Sequence, residues 1–200
     1  MSTQNFEQPT SFEFSAEAME MAKAHIAKYP EGRQASAVMP LLDLAQRQND
    51  GWLPRVAMEY VADFLEMPRI EAYEVATFYT MYNLEPVGKH HVQVCTNLPC
   101  WLRGSDKIVE AAKRNIGVEM GGTSEDGLFT LSEMECLGAC VNAPMMQIND
   151  DYYEDLDETN TESILTELRH GKTPKTGSQI ARKTCEPIGG LTSLKDGGGE

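Results

Sequence analysis

Two cysteine pairs constrain this chain more than any other feature. Cys95-x4-Cys100 and Cys136-x3-Cys140 lie far apart along the sequence, and a fifth cysteine, Cys185, falls outside both pairs. Disulfides are disfavoured in a reducing compartment. Structural zinc accepts four thiolates, but its pairs most often enclose two residues. Gaps of four and three flanked by apolar Leu98, Pro99, Trp101 and Leu137 fit zinc less well. A [2Fe–2S] cluster also takes four Cys thiolates, and it suits wider loops around a larger inorganic core. A Rieske centre needs two His ligands on one iron. His90 and His91 stand together before Cys95, and no His is near Cys140. A thiol-redox motif would need C-x-x-C, which is absent. Spacing thus favours an iron–sulfur cluster and leaves a zinc-stabilised interaction module as the reading of another class.

The cysteines fall in residues 89–171, where the pattern is mixed. HHVQVC alternates and is β-branched, which predicts a strand near 91–95. SDKIVEAAKRNIGV predicts a helix, with Ser105 as its cap and Gly117 as its stop. LFTLSEMEC reads as a second strand, and APMMQIND with DYYEDL as a hairpin about Asn149-Asp150-Asp151. A helix from about Asn160 to Arg169 follows. The first pair therefore sits where a strand ends and a helix approaches, and the second in a loop after a strand. Strand ends of one sheet can bring the pairs together. Gly138 and Ala139 would let backbone approach closely and point amides at sulfur.

Residues 1–88 read as helical. Phe14, Ala18, Met21, Ala22, Ile26 and Tyr29 recur at three- and four-residue steps up to Pro30. A second helix is expected from Ser36 to Gly51, a third from Pro54, and a fourth carrying Ile70, Tyr73, Val75, Phe78, Tyr79 and Tyr82. Four short amphipathic helices suggest a small bundle. The aromatic run ATFYTMY is expected to be core at that spacing.

Charge excludes one broad class of function. With 17 Lys and Arg against 31 Asp and Glu the formal net charge is −14, whereas a nucleic-acid binder needs clustered cations. Residues 91–171 carry 5 basic and 15 acidic side chains, and residues 172–200 carry 5 and 3. That last stretch is rich in Gly, Ser, Thr and Pro, lacks any helical or strand period, and reads as an extended tail, disordered or strapped on a partner. No apolar stretch is long enough for a membrane span, and MSTQNFEQPTSFEF has neither the basic start nor the apolar run of a secretory signal. There is no G-x-G-x-x-G after a strand and no phosphate-binding P-loop. The Gly121-Gly122 and Gly197-Gly198-Gly199 runs are remote from any strand–helix joint. This chain is therefore not expected to bind NADH itself or to move hydride.

KYPEGRQASAVMPLLDLAQRQNDGWL, EVATFYTMY, VQVCTNLPCWLRGSD, ECLGACVNAPMMQIND and KTCEPIGGLTSL resemble the 24 kDa subunits of respiratory NADH:quinone oxidoreductase, complex I. The resemblance covers most of the chain. It implies an α+β fold: an N-terminal four-helix bundle in residues 1–88, a thioredoxin-like α/β [2Fe–2S] domain with a small mixed sheet in residues 89–171, and the tail 172–200. It implies Cys95, Cys100, Cys136 and Cys140 as iron ligands of one [2Fe–2S] cluster, Cys185 as a free thiol, and no catalytic residue on this chain. It further implies an electron-transfer role beside a flavoprotein partner that holds FMN, the NADH site and a [4Fe–4S] cluster. The large iron–sulfur subunit of the complex is the other implied partner. The place implied is the cytoplasmic side of a bacterial inner membrane, peripheral through the complex. The equivalent diaphorase subunit of an NAD-linked hydrogenase or formate dehydrogenase is the alternative.

Overall fold

The computed structural model describes residues 6–190, 192 and 193. Gly197-Gly198-Gly199 and the end of the tail lie outside the described residues; the chain divides into two compact units, Met1–Val87 and Gly88–Glu200.

In the first unit, Ser15 opens α1 (Ala16–Ile26) by accepting from the Ala18 amide at 3.1 Å, which satisfies a donor that a helix start leaves open. A 3-10 turn, Gln34–Ala37, feeds α2 (Val38–Gln48). Ser36 lies inside that turn and is not the expected cap. Pro54 and Pro68 precede α3 (Arg55–Phe64) and α4 (Arg69–Phe78), where a missing amide donor leaves no helical bond unmade. Leu41, Leu42, Val61 and Leu65 are fully buried, and Phe14 meets Tyr60 edge to face at 5.2 Å.

The aromatic run departs from expectation. Helix α4 ends at Phe78 and Tyr79 turns to extended backbone, so the helical spacing stops before the run does. Phe78 is 77% exposed, and Tyr79 and Met81 are exposed too. Only Tyr82 of the run's last residues is core; its hydroxyl donates to the Met39 carbonyl at 2.9 Å.

The second unit is a five-stranded mixed sheet in the order β2-β1-β3-β4-β5. The strands are β1 (His90–Cys95), β2 (Phe129–Met134), β3 (Met146–Ile148), β4 (Asp151–Glu154) and β5 (Gly177–Ser178). Strands β1 and β2 run parallel, β1–β3 and β3–β4 antiparallel, and β4–β5 parallel. Period-two alternation puts Val92, Val94, Phe129, Leu131, Met146 and Ile148 on one face. That face packs with Ile108, Ala112 and Ile116 of α6 (Ser105–Ile116) and with Ile164, Leu165 and Leu168 of α7 (Glu158–Arg169).

Local choices explain the element ends. Gly104, left-handed at φ 92°, occupies the N-cap of α6, so the expected cap Ser105 is instead buried in the first turn without a hydrogen-bond partner for its hydroxyl. Asp157 and Asn160 form a reciprocal capping box that starts α7 two residues before the expected Asn160. The tail does not dangle in its described part. Gly177 and Ser178 pair with Tyr153 and Glu154, and the segment continues across its own unit.

Candidate metal centre

Parallel pairing of β1 with β2 is what unites the two cysteine loops. The register sets Cys95 beside Met134 at the carboxyl ends of the two strands, and the Thr96 amide still bonds the Met134 carbonyl at 3.1 Å. Both loops leave the sheet at that edge, the end of a parallel pair where sites commonly form. The first loop turns at once into α5 (Leu98–Leu102), a five-residue helix capped by Asn97 and missed by periodicity because it is barely one turn. It swings Cys100 inward, so Cys95 and Cys100 are both 2% exposed and share a cluster with Ala143 and Met145. Side chains then tie loop to loop. Thr96 Oγ1 donates to Glu133 at 2.7 Å, and Asn97 Nδ2 donates to Glu135, the neighbour of Cys136.

The second loop brings Cys136 Sγ and Cys140 Sγ to 3.3 Å, both exposed. The Gly138 amide donates to the Cys136 sulfur. Gly138 sits at φ 86°, and a Cβ added there would meet nothing within 4 Å. The left-handed φ is what the turn asks of this residue, and its amide meets the sulfur as expected. Tyr152 on β4 donates its hydroxyl to the Leu137 carbonyl at 2.7 Å and so pins the loop to the sheet. Arg103 Nε reaches the Ala143 carbonyl at 3.4 Å, just beyond the 3-10 turn Cys140–Asn142.

The thiols feel each other's charge. Burial, then the hydrogen bond with Cys95, pushes the Cys100 thiol up to about 12, while a Met145 amide donated to its sulfur acts the other way. Cys140 is raised by its hydrogen bond with Cys136, by desolvation, and by the fields of Cys136 and Cys95. Cys136 is lowered, first by the Gly138 amide and then by Cys140. A buried thiol that resists ionisation beside a second one, as Cys100 does beside Cys95, is a donor that a bound cation would turn round, since metal binding deprotonates thiols outright. The grouping is two pairs; among the described residues, no three His, Cys, Asp or Glu side chains close on one point. Two thiolates for each of two irons is what a [2Fe–2S] cluster asks of its ligands, and these residues fit that group.

Several residues around the site were invisible to spacing arguments. The 3-10 turn after Cys140 is held by the tail: Asn142 Nδ2 donates to the Thr184 carbonyl at 2.7 Å and to Asp155 at 3.2 Å. Arg182 bonds the Val141 carbonyl at 3.0 Å. Only a long-range contact could reveal these partners, because Arg182 lies in a stretch without period. An open cavity of about 530 Å³ lies beside these contacts, lined by Gly138, Val141 and Tyr152 and, from the C-terminal strap of residues 175–185, by Lys175 and Cys185 among others. Cys185 is exposed and lies on the strap, not in either loop. Among the described residues no helix is long and apolar enough to cross a membrane.

Comparison with known proteins gives the family. Residues 22–169 match the family described as thioredoxin-like [2Fe-2S] ferredoxin. The E subunit of the NADH-quinone oxidoreductase of Rickettsia conorii is 58% identical over 161 residues, 80% of this chain and 96% of the relative. The mitochondrial NADH dehydrogenase [ubiquinone] flavoprotein 2 of Dictyostelium discoideum is 47% identical over 192 residues, 96% of this chain and 78% of the relative. A solved NAD+-reducing [NiFe]-hydrogenase in the air-oxidized state superposes on 65% of this chain and 23% of its own with a TM-score of 0.56 at 17% identity, a likeness of fold.

Proposed function

The chain belongs to the thioredoxin-like [2Fe-2S] ferredoxin family, among the NADH-quinone oxidoreductase E subunits, and from that premise we propose that it is the complex's one-electron carrier beside the flavin. On this reading Cys95, Cys100, Cys136 and Cys140 are the thiolate ligands of one [2Fe–2S] cluster. The observation that supports it most is the meeting of both cysteine loops at the carboxyl ends of β1 and β2. Bound there, the cluster supplies one-electron oxidation and reduction, which divides the two-electron chemistry of a flavin into single transfers.

The chain's own residues set the field around that group. Amides of Met145 and Gly138 point at the Cys100 and Cys136 sulfurs and favour added negative charge. Glu135 repels it from beside Cys136, as does the net charge of −14, weakened by screening beyond about 8–10 Å. The centre is therefore expected at low potential. FMN, the NADH site and a [4Fe–4S] cluster belong on this reading to the partner flavoprotein. The large iron–sulfur subunit completes the docking, on the cytoplasmic side of the membrane, and no complete active site resides here.

Anaerobic isolation tests the reading. Red-brown protein with iron and inorganic sulfide, and a rhombic EPR signal after dithionite, is the expected result. Colourless protein with tightly held zinc would remove it. Recovery of the intact assembly as a quinone reductase supports the complex; recovery as a hydrogenase or formate dehydrogenase would transfer the same cluster to the alternative.

A further inference from the structure

One buried ion pair stands beside the cysteine site without a part in binding. Arg182 Nη2 meets Asp155 Oδ1 at 3.1 Å, with the two side chains 6% and 4% exposed. Asp155 lies where β4 leaves the sheet, at φ 53°, and its carboxylate is crowded with donors. Ser178 Oγ donates to Oδ2 at 2.7 Å and Asn142 Nδ2 at 3.2 Å. The Asp155 amide donates in turn to the Asn142 carbonyl at 2.7 Å. Arg182 uses its other terminal nitrogen on the Val141 carbonyl at 3.0 Å, and its own amide on Ser178 Oγ at 3.2 Å.

Every one of these bonds ends on the strap, on the β4 corner, or on the two residues that follow Cys140. A charge pair taken this far out of water is costly unless its remaining donors and acceptors are met. Here most are met: the Val141 carbonyl accepts from Arg182, and Ser178 Oγ and Asn142 Nδ2 donate to Asp155, while Arg182 Nε is buried without a hydrogen-bond partner among the described residues. The strap also closes the turn from its far side through the Thr184 carbonyl. The cysteine loop is packed only in part: Leu137 and Ala139 lie against the cluster of Cys95 and Cys100, while Cys136, Cys140 and Val141 are exposed. A loop of that kind keeps one geometry only if something outside it holds the backbone.

We propose that the Arg182–Asp155 pair is a clasp by which the C-terminal strap positions Cys140, so that Arg182 and Asp155 are positioning residues for the cluster although neither touches it. The inference rests on the ligand reading above and adds to it a residue set that no cysteine pattern contains. Outer partners of metal ligands commonly change affinity ten- to a hundredfold when removed, and the strap is that outer partner for the exposed half of the site.

The test uses the full chain, isolated anaerobically with its cluster. Arg182→Ala and Asp155→Asn are each expected to shift the EPR g-values and to speed iron loss to a chelator about tenfold. Arg182→Lys, which keeps the charge in the pair, is expected to recover part of both. Either single variant leaves an uncompensated buried charge, so Asp155→Asn with Arg182→Met is made as well, removing both charges together. That double variant is expected to keep the unfolding midpoint of the metal-free chain near the parent value while still showing the altered g-values and faster iron loss. Substitution of Lys183 by Ala, beside the clasp but outside it, is expected to change neither. If the double variant retains the parent EPR spectrum and chelator half-life, the clasp is overturned while the ligand set stands. If the parent chain itself carries no iron and sulfide, the ligand reading fails and the clasp with it.

Discussion

Cys136 and Cys140 carry the metal hypothesis in its most exposed form, because both are exposed, with their sulfurs 3.3 Å apart. Replacement of either by Ala is expected to abolish the iron and sulfide content and the EPR signal; an unchanged signal would exclude that residue as a ligand. Cys185→Ser is expected to leave the spectrum as it was. The cysteine pattern made these residues legible, since spacing and flanking residues are local. The donors around the thiols were not legible, because the Met145 amide reaches Cys100 from far along the sequence, just ahead of β3, and the Tyr152 hydroxyl comes to the second loop from β4. His91 is a second case. Its strand was evident, but its burial was not. It is 9% exposed with Nε2 at 2.8 Å from Ser132 Oγ, and burial lowers its pKa from 6.5 to about 4. The unfolded chain therefore binds a proton that the folded chain refuses, in the window from pH 6.5 down to 4. Stability from this residue is complete above pH 6.5 and is lost as pH falls, about 2 kcal/mol by pH 5. Urea midpoints compared across that window are expected to fall less for His91→Gln than for the parent, and equal slopes would refute the assignment.

Elements were readable where a period ran long enough and unreadable where a single turn decided the matter. The strands β1 and β2 and the helix α6 announced themselves by alternation and by a Gly117 stop at φ 83°. The helix α5, five residues long, is shorter than any period can show, yet it carries Cys100 into the core. The start of α7 was displaced because its capping box is Asp157 with Asn160, not the commoner Ser or Thr with Glu. In the aromatic run α4 ends at Phe78, so the helical spacing that suggested a core stops there, and Phe78 faces water. The sheet's own contribution is testable at Leu131. This residue is fully buried on β2 and lies across from Val92 of β1, in the pair of strands that unites the cysteine loops. Leu131→Ala removes three heavy atoms from a packed face and is expected to cost about 3 kcal/mol of unfolding free energy, read as a lowered urea midpoint. A loss under about 0.5 kcal/mol, the range of ordinary surface substitutions, would mean that this face is not the core.

At the scale of the whole molecule, the described residues hold two large hydrophobic cores and a smaller cluster around Cys95 and Cys100. The first unites residues from Phe14 to Tyr82, the second residues from Val92 to Leu168. The four thiols, the amides that face them and the strap all belong to the second unit, Gly88–Glu200. Gly88 is itself built into that unit: its amide donates to Thr130 Oγ1 at 2.6 Å, and a Cβ there would come within 2.7 Å of Phe129 backbone. A chain that starts at Val87 therefore retains every contact described around the cysteines. It is expected to take up iron and sulfide and to give the EPR spectrum of the full chain. The helical unit contributes no cysteine, and its exposed Ile70, Phe78 and Met81 leave it apolar surface without a role in cluster binding. Removal of residues 1–86 is accordingly expected to spare the spectrum and to weaken assembly with the flavoprotein proposed above as its partner, measured by co-purification. A shortened chain that loses its cluster would show that the helices support the metal site, and one that assembles as well as the parent would show that docking lies elsewhere.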